Sequence, residues 1–152
     1  MNDAEKETIA VSACLLGVSC RYDGEPAKNG LTDALSEYKV VPICPEVWAG
    51  LPTPRLSCEA ITGEDGIRVV DRNGKDYTDV FARGAEIALK VCQKHKIGKA
   101  VLKAHSPSCG AGMVYDGTFT GKKVPGDGVT SRCLADNGVE VISDEEFLEN
   151  GL

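Results

Sequence analysis

The chain has no Cys-x-x-Cys pair, although it carries 7 cysteines in 152 residues. The commonest zinc and dithiol signatures are therefore missing, and any metal site must be assembled from separate loops. No apolar run approaches membrane-spanning length, which argues against a transmembrane helix. Met1 to Thr8 is polar and acidic and lacks the basic-then-apolar order of a signal peptide. A cytoplasmic location is expected, and a reducing compartment with an odd cysteine count disfavours a disulfide framework. Positive charge is also short. The net charge of −6 argues against binding nucleic acid through bulk electrostatics, although a local basic groove stays open.

What is present is ordinary for a globular chain: 42% hydrophobic and 26% charged residues. The length suits one domain with a single core, spanning about residues 8–149. Monomer and homodimer are equally compatible with the sequence.

The pattern of apolar runs predicts an α/β fold. Thr8–Ala13 and Lys39–Ile43 read as strands, and so do Lys99–Ala104 and Val139–Ile142. Helices are expected over Leu31–Glu37, Thr78–Lys96 and Val129–Ala135, with a last one after Ser143. Thr78 is placed as a helix cap, Gly98 as a helix stop, and Ser143 as a cap with Glu146 three residues on. Ile67–Val70 followed by Asn73-Gly74 reads as a β-hairpin on the surface, without chemistry of its own. Val47–Ala60 reads as a long irregular loop or lid, and Tyr115–Asp127 as a glycine-rich loop. This alternation implies a mostly parallel, flavodoxin-like four-stranded sheet of order 2-1-3-4, with helices on both faces.

Three of the strands run straight into a cysteine. Cys14 follows the first, Cys44 the second, and Cys109 lies on the loop after the third, in Leu102-Lys-Ala-His-Ser-Pro-Ser-Cys-Gly-Ala-Gly112. Parallel strands set these ends along one edge, at the switch point where α/β folds bind ligands. Three sequence-distant thiols thus converge on one crevice. Soft thiolates suit zinc, copper(I) or an iron–sulfur cluster. Glu46, Asp23, His105 and Ser106 lie close by in sequence as acid–base or hydrogen-bonding groups. Cys92 and Cys133 read as buried small hydrophobes, Cys58 has no motif, and Cys20 is a loop residue or a fourth ligand. Asp127 either binds substrate or shapes a turn. His95 reads as a helix C-terminal cap, and His105 as structural before catalytic.

Several motifs together resemble one family. They are Ser12-Ala-Cys-Leu-Leu-Gly17, Arg21-Tyr-Asp-Gly24, Cys44-Pro-Glu46 and Gly50-Leu-Pro-Thr-Pro-Arg55, with Ser106-Pro-Ser-Cys-Gly110, Val114-Tyr-Asp-Gly117 and Val124-Pro-Gly-Asp-Gly-Val129. The combination, from about Ile9 to Ile142, is similar to the thiouracil desulfidases, long known only as a bacterial domain of unknown function. The resemblance implies a [4Fe-4S] cluster on Cys14, Cys44 and Cys109, with one open iron. It implies removal of sulfur from thiolated pyrimidines such as 2-thiouracil, giving the oxo-pyrimidine and hydrogen sulfide by a hydrolytic, non-redox route. Glu46 and Ser106 would be catalytic, while Asp23, Arg55 and Ser108 are candidates for binding substrate. Some relatives add a domain and act on tRNA; this chain stops at Leu152, so a free base or nucleoside is expected instead. The competing reading is a non-enzymatic cysteine protein that binds zinc or senses oxidants, and metal identity separates the two. A partner-binding domain with purely core cysteines is a further alternative.

Overall fold

A computed structural model describes residues 6–16, 31, 34–53, 55–63 and 66–152. Cys20 and Asp23 lie outside the described residues. The first half contains β1 (Thr8–Ser12), a 3-10 turn (Ala13–Leu16), β2 (Lys39–Ile43), α1 (Pro45–Trp48), β3 (Cys58–Gly63) and β4 (Gly66–Asp71). The second half contains α2 (Thr78–Lys94), β5 (Lys99–Leu102), β6 (Met113–Tyr115), β7 (Lys123–Pro125), α3 (Val129–Asp136), β8 (Glu140–Ser143) and α4 (Asp144–Asn150).

The central sheet is parallel, in the order β2-β1-β5-β8. Numbered among themselves, these strands run 2-1-3-4, the order expected from the alternation of elements. Both faces are covered, so the strands are near-continuous apolar runs. Ile9, Val11 and Val101 pack on one side with Leu31, Leu35 and Phe147 of α4. Ala10, Ala100 and Leu102 point the other way, onto Ala88 and Cys92 of α2 and Leu134 of α3. Pro42 sits within β2, where an edge strand tolerates the missing amide. No helix among the described residues is long and apolar enough to cross a membrane.

Several local expectations are corrected. Residues 31 and 34–37 form turns, with Leu35 N donating to Leu31 O, and no α-helix is formed by these described residues. The Asn73-Gly74 turn does reverse the chain, but its return arm is a single bridge, Val70 to Asp76. Helix α2 starts at Thr78 and takes the chain away, so β4 pairs instead with the preceding β3. Only the ends of the expected lid belong to α1 and β3, and the described residues 49–53 and 55–57 between them are irregular. The glycine-rich stretch is closed by a second hairpin, β6 with β7. Thr78 does not cap α2: its Oγ1 accepts from Val69 N, and Asp76 Oδ1 takes the Thr78 amide. That helix stops before Gly98, at His95, and Lys96 adopts the left-handed conformation (φ 55°). Ser143 does cap α4, accepting from Glu146 N at 3.1 Å.

Candidate active site

The carboxyl ends of β1, β2 and β5 lie side by side, and each presents a cysteine. Cys14 sits in the 3-10 turn directly after β1. Cys44 follows β2 as the residue that caps α1, and Pro45 begins that helix, where a proline's fixed φ is already suited. Glu46 is one residue further on, in the first turn. Cys109 hangs on a tight turn after β5, in which Ser106 Oγ accepts from Cys109 N at 2.7 Å and Ser106 O accepts from Gly110 N at 2.9 Å. Glycine is required at 110 because a Cβ there would lie 2.8 Å from Ser106 O and from Val114 Cγ1.

These side chains surround one cavity of about 410 Å³, whose walls include Cys14, Cys44, Cys109, Glu46, Ser106 and Arg55. Arg55 grips Glu46: its Nε donates to Oε2 at 3.1 Å, and its second terminal nitrogen donates to the same oxygen. The other terminal nitrogen reaches Pro52 O and Thr53 Oγ1, so the guanidinium also braces the irregular segment. The pair is largely shielded, with side-chain exposures of 8% for Arg55 and 19% for Glu46. At such depth either charge alone would be expensive, so each fixes the other. Burial pushes the Cys109 thiol up to about 12; hydrogen bonding with Ser12 and Ser108 pulls it back, while Glu46 and Cys44 push it further. No disulfide joins the described cysteines. Among the described residues no three His, Cys, Asp or Glu side chains are grouped to hold a single metal ion.

A model of the 2-thiouracil desulfurase family matches residues 9–146. The chain belongs to that family. It is 41% identical over 146 residues to the uncharacterised protein YbbK of Bacillus subtilis, covering 91% of this chain and 97% of YbbK. It is also similar to a solved structure described as the [4Fe-4S]-dependent thiouracil desulfidase TudS, with 45% identity, 95% coverage of each chain and a TM-score of 0.84.

Within this desulfurase-family fold the remaining candidates fall in different places. Ser108 is 1% exposed and bonds Thr130 Oγ1 at 2.9 Å, beneath the cysteine loop and away from the cavity wall. His105 does line the cavity, edge-on to Tyr115, with Nε2 3.6 Å from Glu145. Asp127 does not border this cavity and ties two loops together, accepting from Gly112 N. Cys92 is buried in the core, as its helical position suggests.

Sequence reasoning missed Cys58 and Glu59, both on β3 and both on the cavity wall. Burial and the charge of Glu46 push the Cys58 thiol to about 12. Glu59 accepts from backbone amides 58 and 60 residues away, a pairing with no local signature. The glycines of residues 115–127 mark a loop, but nothing in them names the carboxylate that holds it.

Proposed function

We propose that this chain is a desulfidase that replaces the sulfur of a thiolated pyrimidine, 2-thiouracil or a related base or nucleoside, with oxygen from water. The reaction balances as one thiocarbonyl and one water giving one carbonyl and one hydrogen sulfide, with no electrons gained or lost. The observation that carries the reading is the convergence of Cys14, Cys44 and Cys109 on one cavity beside the Arg55-held Glu46. The 45% identity to TudS supports the same chemistry.

The donor set fits an iron–sulfur cluster. Three soft thiols come from three rigid strand ends and border a space far larger than one ion needs. Cys14, Cys44 and Cys109 would hold it. Bound there, the cluster supplies a Lewis acid that polarises the thiocarbonyl.

The protein's own groups handle protons and orientation. Glu46 takes a proton from the attacking water and returns it to the departing sulfur or the ring. Arg55 aims that carboxylate by fixing Oε2. Ser106 Oγ accepts from Cys109 N and borders the cavity, which leaves its O–H to donate to substrate or water. Ser108 braces the loop through Thr130, off the cavity wall.

Anaerobically reconstituted protein tests the reading. About four irons and four sulfides per chain are expected, lost in Cys109→Ala, together with sulfide release from 2-thiouracil. Glu46→Gln should keep the iron and the visible spectrum while losing at least a hundredfold in kcat. Zinc alone, no metal, or an active E46Q variant would overturn it.

A further inference from the structure

Glu59 is a buried carboxylate for which the reaction has no use. It is 8% exposed, and its Oε1 accepts from Gly117 N and from Phe119 N, at 3.0 Å each. Both amides belong to the segment joining β6 to β7, so the carboxylate fastens that segment to β3. Gly117 adds to the seating: it has φ 93°, and a Cβ there would lie 2.6 Å from Ile61 Cγ1. Two residues on, Phe119 adopts φ 60°. A bulky residue rarely takes that conformation and keeps it only when its surroundings hold it there. Phe119 and Arg72 both border the cavity, and the Arg72 guanidinium lies over the Phe119 ring, 5.2 Å from its centroid.

A strained aromatic residue, clamped by a buried charge and placed on the wall of a reaction cavity, needs a reason. We propose that Phe119 is the face on which the flat substrate ring stacks, and that Glu59 is the positioning residue that holds it there. Arg72 backs one face of the Phe119 ring and the guest takes the other. The site would thus select planar heteroaromatic thiones over non-planar thioamides. This rests on the desulfidase reading for the identity of the guest, while the clamp itself is independent of it.

Three measurements on the full chain test the proposal. Amide hydrogen exchange at Gly117 and Phe119 should be at least tenfold faster in Glu59→Ala and within about threefold of wild type in Glu59→Gln, whose carbonyl can still accept both amides. Unchanged exchange in E59A overturns the clamp. Calorimetric Kd values for 2-thiouracil and uracil should rise about tenfold in Phe119→Leu and stay near wild type in Phe119→Trp. Equal binding by wild type and F119L, or no ring binding by wild type, overturns the stacking face. Turnover should show KM raised about tenfold with kcat within twofold in both F119L and E59A. If kcat falls and KM does not, the residues act on the chemistry and the proposal fails. A wild type that binds the ring through Phe119 yet releases no sulfide refutes the desulfidase reading alone.

Discussion

Gly84 is where helix α2 touches the cysteine edge, and adding one methyl group there tests the whole arrangement. It lies in the buried stripe of α2, directly against the start of α1. A Cβ at 84 would overlap the Pro45 carbonyl oxygen and lie 2.8 Å from its carbon. Helix propensity alone favours Gly84→Ala by about 1 kcal/mol. The overlap is with backbone, so no side chain can rotate away, and α1 must be displaced by up to about 1 Å. Over-packing of this kind costs roughly 1–3 kcal/mol. We take about 2–3 kcal/mol here because backbone is struck, so the net loss expected is about 1–2 kcal/mol, or roughly 2–8 °C in Tm. The functional effect should be larger. Pro45 stands between Cys44 and Glu46, so both move with it, and misplacement by about 1 Å can lower a rate about a hundredfold. Urea unfolding, thermal melts, iron content and sulfide release measure each part. Gly98→Ala is the control, since a Cβ there meets nothing within 4 Å. A G84A protein as stable and as active as wild type would refute the close packing of α2 on α1.

Other expectations follow from single contacts. Asp144 is buried at the start of α4 and accepts from Ala104 N at 2.7 Å, so Asp144→Ala should cost about 1–3 kcal/mol and Asp144→Asn less; equal losses in urea unfolding would count against this bond. Burial and the nearby Cys133 raise the Cys92 thiol to about 11, so only roughly one in a thousand is thiolate at pH 8. Mass spectrometry should find Cys92 unalkylated by iodoacetamide in the folded protein and labelled after denaturation; rapid labelling when folded would refute its burial. Burial holds His105 below its ordinary value, helped by Lys123 and Lys103 and opposed by Glu145 and Asp144. As pH falls below about 6.5, the unfolded chain takes up this proton first, so His105 lowers stability progressively down to its folded pKa. The stability difference between wild type and His105→Asn should therefore shift against wild type from pH 7 to pH 5, and a constant difference would refute the shift. Asparagine is chosen because it tolerates the left-handed conformation at 105 (φ 69°).

The sheet and the cysteine edge could be read from the sequence because their signals are local. Each strand is a short β-branched run, and each cysteine follows within a few residues, so parallel order alone brings Cys14, Cys44 and Cys109 together. The walls of the cavity were harder to read. Cys58 and Glu59 stand in β3, which pairs with β4, and β4 had two possible partners, the segment before it and the segment after it. Asn73-Gly74 favoured the wrong one, because the turn forms while α2 removes the arm that would have paired. Glu59 is matched by amides 58 and 60 residues later in the chain, and only tertiary structure supplies such a partner. Arg55 was visible as a motif residue, but its hold on Glu46 was not. The described residues 31 and 34–37 fold as turns, since packing Leu31 and Leu35 onto the sheet requires no complete helix.

The positions of Cys14, Cys44 and Cys109 also bear on chain entropy. Along the sequence they enclose segments of about 30 and about 65 residues. A body bonded to all three thiols would act as a three-way cross-link, closing both loops in any unfolded chain that retained it. By the loop-closure relation each closure is worth several kcal/mol, a large part of the stability of an average fold. The occupied protein should therefore resist heat and proteolysis better than the stripped one. Loss of the bound body would loosen the reactive edge and lower the stability of the whole sheet together.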